Sequence, residues 1–361
     1  MTLSRGAIGN LVNRYRAVLR KCRMMNVFGS LAVAGMLVAG NAGFAGAEEL
    51  SGDISPISLS GDTRNIIGVG DISLRSTEPA LRYLINVSGQ GQLDISMSNG
   101  SPMAVGNADG IYLKDYSEYD QYASAFHVAG SGSSGSFAGT GTFSMVGGGK
   151  LLGVCAFLSE SKGTLTLSGD ITGEAEAVMN GSNGYASFAA AAAGGNLVFG
   201  GDRTTLRAKA FTGNNANGAF VKYGGMIDFA SKSVLIESKN TDSSSVGINC
   251  ADGTVKTSAD TDLDIVVEGN KATTGIQLTA SSSDVQLAGN LDLTATQTGQ
   301  DSFASVLGIS NDSGKMVVSG PTSLRLVTNA PFDAKGITAS GKADMSFLGD
   351  VEIAVTGSAS G

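Results

Sequence analysis

Proline occurs 5 times in 361 residues, tryptophan not at all, histidine once and cysteine three times. Each scarcity excludes something. So little proline, with no three-residue glycine period, rules out a collagen-like triple helix. With His127 as the single histidine, a histidine-rich metal centre is impossible, and a Ser-His-Asp triad would depend on that one residue. Without tryptophan, the largest side chain for stacking against a sugar is missing. Charged residues are 16% of the chain against 42% hydrophobic, which is the wrong balance for disorder. Glycine is abundant instead: its 52 residues are roughly twice the usual share. Serine, threonine, asparagine, aspartate and small apolar residues make up much of the remainder. Many turn formers between short apolar bursts indicate an all-β protein built from repeats.

The first 47 residues differ in character from the rest. Arg14, Arg16, Arg20, Lys21 and Arg23 precede a mostly apolar stretch from Met24 to Gly40, and Ala45 and Ala47 follow at small-residue positions. Basic, then apolar, then small is the order of a secretory signal, with the cut expected after Ala47; an uncleaved single-pass anchor is the other reading. No acidic residue lies in this segment. Its removal leaves 18 Lys and Arg against 32 Asp and Glu, a net charge of −14. That sign argues against nucleic acid or an anionic membrane surface as a partner.

Residues 48–361 read as a β-solenoid. In Gly275 to Gln297 the pairs Ile276/Leu278, Val285/Leu287 and Leu291/Leu293 alternate apolar and polar with period two, the pattern of half-buried strands. Similar stretches start at Gly308 and Gly336. An apolar-x-apolar-x-Gly burst ends at Gly61, Gly89, Gly147, Gly169, Gly201, Gly289, Gly320 and Gly349, at spacings of 28, 58, 22, 32, 88, 31 and 29. A second marker, glycine before a mostly apolar residue, falls at Gly153, Gly184, Gly218, Gly247, Gly275, Gly308 and Gly336. Two markers in phase imply coils of about 30 residues, each with three strands, stacked in parallel about 4.8 Å apart. Roughly ten such coils fit the length. Ile248, Ile276, Ile309 and Ile337 should form one inward ladder, and Leu287, Val318 and Phe347 another. Glycine and asparagine at the corners should supply the positive φ of tight turns. The rival is a sandwich or barrel of hairpins, with turns at Asn99-Gly100 and Asn180-Gly181. Residues 100–150 are irregular, either as a poorly matched coil or as a loop off the rod. The alanine run 189–193 reads as small-residue packing. The chain stops at Gly361 inside a repeat with no polar cap, which leads us to expect a truncated or partial sequence.

The chemical motifs are sparse. Gly130, Gly132 and Gly135 match the dinucleotide-binding glycine pattern by letters, but no helix pattern follows to meet a pyrophosphate. His127 reads as a surface or packing residue. GGDRTTL at 200–206 and GVGD at 68–71 match single copies of calcium-binding repeats that work only in tandem. Asp170, Glu174 and Glu176, and likewise Asp260, Asp262 and Asp264, should share an outer strand face. Such carboxylates serve acid/base chemistry or simply solvate an acidic rod. No catalytic, cofactor or metal residue is therefore assigned. Cys155 and Cys250 lie three coils apart, roughly 14 Å along the axis, too far for a disulfide. Their offsets put one inward and one outward, so both should be free thiols.

A secretory leader followed by a Gly/Ser/Thr/Asn-rich solenoid with coils of 28–34 residues resembles the passenger region of autotransporter-type surface proteins of Gram-negative bacteria. The resemblance covers residues 48–361. It implies a parallel β-helix displayed at the cell surface, commonly for adhesion to a glycan or protein on a host or neighbouring cell. The translocator barrel of that family is not in this sequence, so a separate transporter or a periplasmic location would be the alternative. A monomer is expected. Two other classes stay open: a carbohydrate-active β-helix enzyme of the lyase or glycosidase kind, and a purely structural rod.

Overall fold

The computed structural model describes residues 47–357, apart from short stretches at 79–80, 99, 108–110, 114–121, 150, 179–185, 212–214, 300–304 and 330–333. The leader, the Gly184 marker and both Asn-Gly pairs lie wholly or partly outside the described residues. What is described is a parallel β-solenoid. One sheet takes the first strand of every coil, from Ile57–Ser60 through Gly153–Glu160 and Ser245–Cys250 to Ala334–Ala339, ten strands in all. Neighbours pair in parallel from end to end. Following one ladder from Ile57 through Ile85, Phe126, Phe157, Ala190, Ala219, Ile248, Ile276 and Ile309 to Ile337 gives nine turns, slightly fewer than the length suggested. Six turns take 28–31 residues and two take 33; the one long step, 41 residues, runs from Ile85 to Phe126. The hairpin rival fails, because every strand pairing between coils is parallel.

The other two sides of each coil belong to a second, 18-stranded sheet. In three successive coils one long strand covers both sides, Ser134–Gly149, Thr164–Ala177 and Asn196–Ala210, whereas the coil before them has two, Gln92–Met97 and Pro102–Asn107. From Gly225–Phe229 and Ser233–Asn240 onward it divides in two. Most of the irregular region is ordinary rungs: Pro102–Asn107, Tyr122–Ala129 and Ser134–Gly149 all sit in ladders. The extra length is confined to the connection between Asn107 and Tyr122. The alanine run is a strand, Ala186–Ala193, buried on both sides.

Alternation puts one apolar row inside. The two expected ladders are present: Ile248, Ile276, Ile309 and Ile337, then Leu287, Val318 and Phe347. In the early coils a column of rings fills the interior, Phe143 to Phe157 to Phe199 to Phe229, with centroids 5.0–5.6 Å apart. Ring pairs of this kind add about 1 kcal/mol each beyond burial. Small residues make room for them. A Cβ at Gly173 would overlap the Phe157 ring, and one at Gly141 would press on Phe137 and Phe143.

The glycine markers hold a different meaning from the one expected. Gly218, Gly247, Gly275, Gly308 and Gly336 do share one column, but none has positive φ. They point inward at the closest approach of the first strand to the third. A Cβ on Gly275 would overlap Leu293, and one on Gly247 would overlap Ile265. Gly153 is three residues out of phase: the same column in the earlier coils holds Ala125, Ala156 and Ala189. The apolar-x-apolar-x-Gly bursts also mix sides. Gly61 and Gly89 end first strands, Gly147 lies in a third strand, and only from Gly169 do they follow the middle one.

Three substitutions test this register in thermal melts. Ile276→Asp buries a carboxylate among Ile248 and Ile309 and should cost more than about 3 kcal/mol. Gly275→Ala should cost about 1–3 kcal/mol, because the overlapped Leu293 is itself buried. Asp292→Ala, on an exposed outer position, should stay within about 0.5 kcal/mol of the parent. Equal losses for Ile276→Asp and Asp292→Ala would refute the assignment.

Candidate binding groove

The glycine column also shapes the surface. Each first strand turns two successive side chains inward, Ala156 with Phe157 or Gly247 with Ile248, while Cys155 and Leu158 lie outside. Two successive inward residues break the alternation and bend the strand. The outward side chains on either side of the bend then lean toward each other. On the outer face of the first sheet this leaves a groove across the strands from Ala186–Ala193 to Ala272–Leu278, while Cys155 and Leu158 before it are covered.

Its character changes along its length. At the N-terminal end, His127 Nδ1 lies 2.8 Å from Asn86 Oδ1 and Nε2 lies 2.9 Å from Glu160 Oε2. The Tyr83 ring stacks on the imidazole at 4.0 Å, with the Arg82 guanidinium 5.1 Å from the ring centre. Both nitrogens and one face of the ring are thus engaged, so His127 is a held packing residue. Burial, as the largest effect, pushes the Tyr83 hydroxyl up to about 12, with Arg82 pulling the other way. The middle is apolar. Cys155, Leu158, Phe188 and Ala191 pack with Tyr83, Tyr122, Ala186 and Phe220, and Phe188 and Phe220 lie 4.7 Å apart. Toward the C-terminal end the groove opens to about 340 Å³, lined by Phe220, Asn217, Asn249, Thr274 and Gln277 among others. Asn249 donates from Nδ2 to Asn217 Oδ1 at 3.2 Å. Its own Oδ1 is buried and accepts from no described group.

The acidic groups lie on other sides of the rod. Asp170, Glu174 and Glu176 do share an outer strand face. Glu174 meets Arg207 at 3.2 Å, and Arg207 also bonds Glu237, which raises the guanidinium pKa above its ordinary value. Asp262 and Asp264 share the outer face of Asp262–Gly269, but Asp260 sits in the turn before it. Asp262 accepts from Asn290 Nδ2 at 2.7 Å. Partial burial, then the charges of Asp292 and Asp262, raise the pKa of Asp264. In GGDRTTL, Asp202 pairs with Lys232 at 2.6 Å, and that bond lowers its pKa. Among the described residues no three His, Cys, Asp or Glu side chains gather as a metal site. The 130–135 glycines lead into strand Ser134–Gly149, with no helix to receive a phosphate.

Cys155 and Cys250 are both free and buried. Cys155 heads an outward column that passes through Phe188 and Asn217 to Val246, and Cys250 is three coils on, inside. The expected separation and opposite facing both hold, although the reference Gly153 was out of phase. The bend supplies the change of face. The groove itself had a weak trace in the sequence: Phe220, Asn249 and Gln277 each stand two residues after a glycine marker.

Comparison with family models, with curated proteins and with solved structures finds no match to this chain.

Two measurements probe these side chains. Burial pushes the Cys250 thiol up to about 11 and Cys155 well above its ordinary value. At pH 8 a thiol reagent should label neither in the native protein and both in denaturant, as mapped by mass spectrometry. For Tyr83 the folded state favours the neutral phenol. The stability this contributes is intact below about pH 10 and is lost as pH rises toward about 12. A phenolate titration of Tyr83→Phe against the parent should remove one late-ionising tyrosine and weaken the alkaline loss of stability.

Proposed function

We propose that this chain is an exported, non-catalytic binding rod of the autotransporter-passenger kind, and that the groove on its first sheet is the contact surface. The single observation that carries the reading is that groove. It crosses the strands from Ala186–Ala193 to Ala272–Leu278, mixes aromatic rings with carboxamides, and offers an unpartnered buried oxygen at Asn249. The parallel solenoid and the basic, apolar, small-residue order of the leader support export. The rod presents its partner with side chains on successive coils, which suits recognition of a long ligand rather than a small one.

One observation favours a second reading. Asp264 and Asp292 are register partners on neighbouring coils, and burial beside a like charge raises the pKa of Asp264. A carbohydrate-active enzyme would use such a pair as acid and base.

The test has two parts. Expressed in a Gram-negative host with a translocator, the full chain should be processed to begin at Glu48 and be digested by protease added to intact cells. Material that starts at Met1 or Met24, or that stays inside, would refute export. Purified protein should bind cell surfaces, and Phe220→Ala should reduce that binding while Asp264→Asn leaves it unchanged. Release of reducing ends from pectin-like or host glycans, abolished by Asp264→Asn, would favour the enzyme instead.

A further inference from the structure

We propose that the open, C-terminal part of the groove takes a neutral polysaccharide chain lying along the rod axis. This rests on the binding-rod reading and narrows it to one ligand chemistry.

The floor is built from two outward columns. One runs Phe220, Asn249, Gln277; the other runs Asn217, Val246, Thr274. Each step along a column is one coil, about 4.8 Å, close to the length of one sugar ring. A carboxamide offers two donors and an acceptor with two lone pairs, and a sugar hydroxyl is both donor and acceptor. Asn217, Asn249 and Gln277 therefore match a ligand that shows hydroxyls at every step. Asn249 states the need directly. Its Nδ2 is spent on Asn217, and its buried Oδ1 lacks a donor, which is unfavourable unless a guest or a water supplies one. Phe220, half-buried beside Phe188, gives the apolar face of a sugar ring a surface to lie on.

Other ligand classes fit less well. No residue lining this part of the groove is charged, and the chain from Glu48 onward carries a net −14. A sulfated or uronate polymer would meet repulsion with no arginine or lysine to offset it. An extended peptide is held chiefly by pairing its backbone to an open sheet edge. Here the strands Asn215–Lys222, Ser245–Cys250 and Ala272–Leu278 are paired on both sides, so the groove offers side chains alone. A lipid tail would bury the carboxamides without partners. The volume of about 340 Å³ sits at the small end of ligand clefts, roughly 300–1,000 Å³, which fits a short stretch of a longer chain.

The experiment titrates the full chain with cellohexaose, maltohexaose, xylohexaose and mannohexaose, and with a heparin hexasaccharide and oligogalacturonate as charged arms. At least one neutral oligosaccharide should bind and shift the side-chain amide signals of Asn249 and Gln277. Asn249→Ala and Phe220→Ala should each weaken it about tenfold or more without lowering the melting temperature. If a variant melts early, Gln277→Ala and the amide shifts of the parent protein decide. Binding only by the charged arms, binding that leaves those amides unmoved, or no binding by any neutral member overturns the proposal. Cell-surface binding that needs Phe220 yet survives enzymatic removal of surface glycans would also overturn it, while the binding-rod reading stands. Conversely, glycan binding by a chain that never leaves the cell would sink the export reading and keep this one.

Discussion

The structure depends on one tight spacing, the approach of each first strand to the third strand of the same coil. At Gly218, Gly247 and Gly275 that approach leaves no room for a Cβ against Ile236, Ile265 and Leu293, and at Gly308 a Cβ would overlap the carbonyl of Gly336 in the next coil. The spacing is tight because the first strand bends inward there and shows two successive residues to the core. The inward ladder through Ile248 and Ile276 follows immediately, so the glycine fixes where the apolar row begins. The same bend tilts Asn217 and Phe220, or Val246 and Asn249, toward each other on the outside. Core packing and surface groove are thus two faces of one backbone feature, and a change to the glycine column would alter both.

The early coils solve the same problem with different volumes. Ala125, Ala156 and Ala189 stand where the later coils have glycine. The rings of Phe126, Phe157 and Phe199 fill the interior beside them, and Gly135 and Gly173 recede to admit Phe126 and Phe157. Bulk on one strand is met by a small residue on the strand facing it. Cores tolerate such exchanges as long as the sum and the pattern are kept. Alanine at 190 and 192 belongs to this trade: the neighbouring Phe157 and Phe199 already occupy the space a larger side chain would want. A run that favours helix in isolation is held as a strand by pairing on both edges.

What was legible in the sequence is what repeats under a hard constraint. The period, the isoleucine ladder and the distance between Cys155 and Cys250 follow from stacking, which forces like residues into register. The phase of individual markers was less legible. Gly153 lies near a real bend but is not at it, because Ala156 can occupy the bend in a coil whose third strand presents Gly173 rather than a branched side chain. Gly61, Gly89 and Gly147 match the letter pattern of the middle strand from other sides of the coil. Turn glycines and close-packed glycines look identical in a sequence; only the partner at the point of contact separates them. The groove was the least legible feature. It is defined by a departure from strict alternation, and a period-two reading assigns its side chains to a flat, solvated face.

That departure also separates what holds the rod from what the rod can do. Backbone ladders and the inward columns hold each coil, and stability is roughly a sum over neighbouring coils. Along the inward column from Ile57 to Ile337 every residue is apolar. The outward column next to it runs through Asn86, His127, Leu158, Ala191, Phe220, Asn249 and Gln277, with no common chemistry. If that column served the fold, like residues would stack there as they do inside, because each rung presents the next with the same surroundings. It varies instead in blocks of two or three coils: hydrogen-bonded around His127, apolar around Leu158, carboxamide around Asn249. Leu158 and Ala191 are covered, and the recessed stretch that stays open, around Phe220, Asn249 and Gln277, is where a solenoid of this kind can carry specificity without loss of its core.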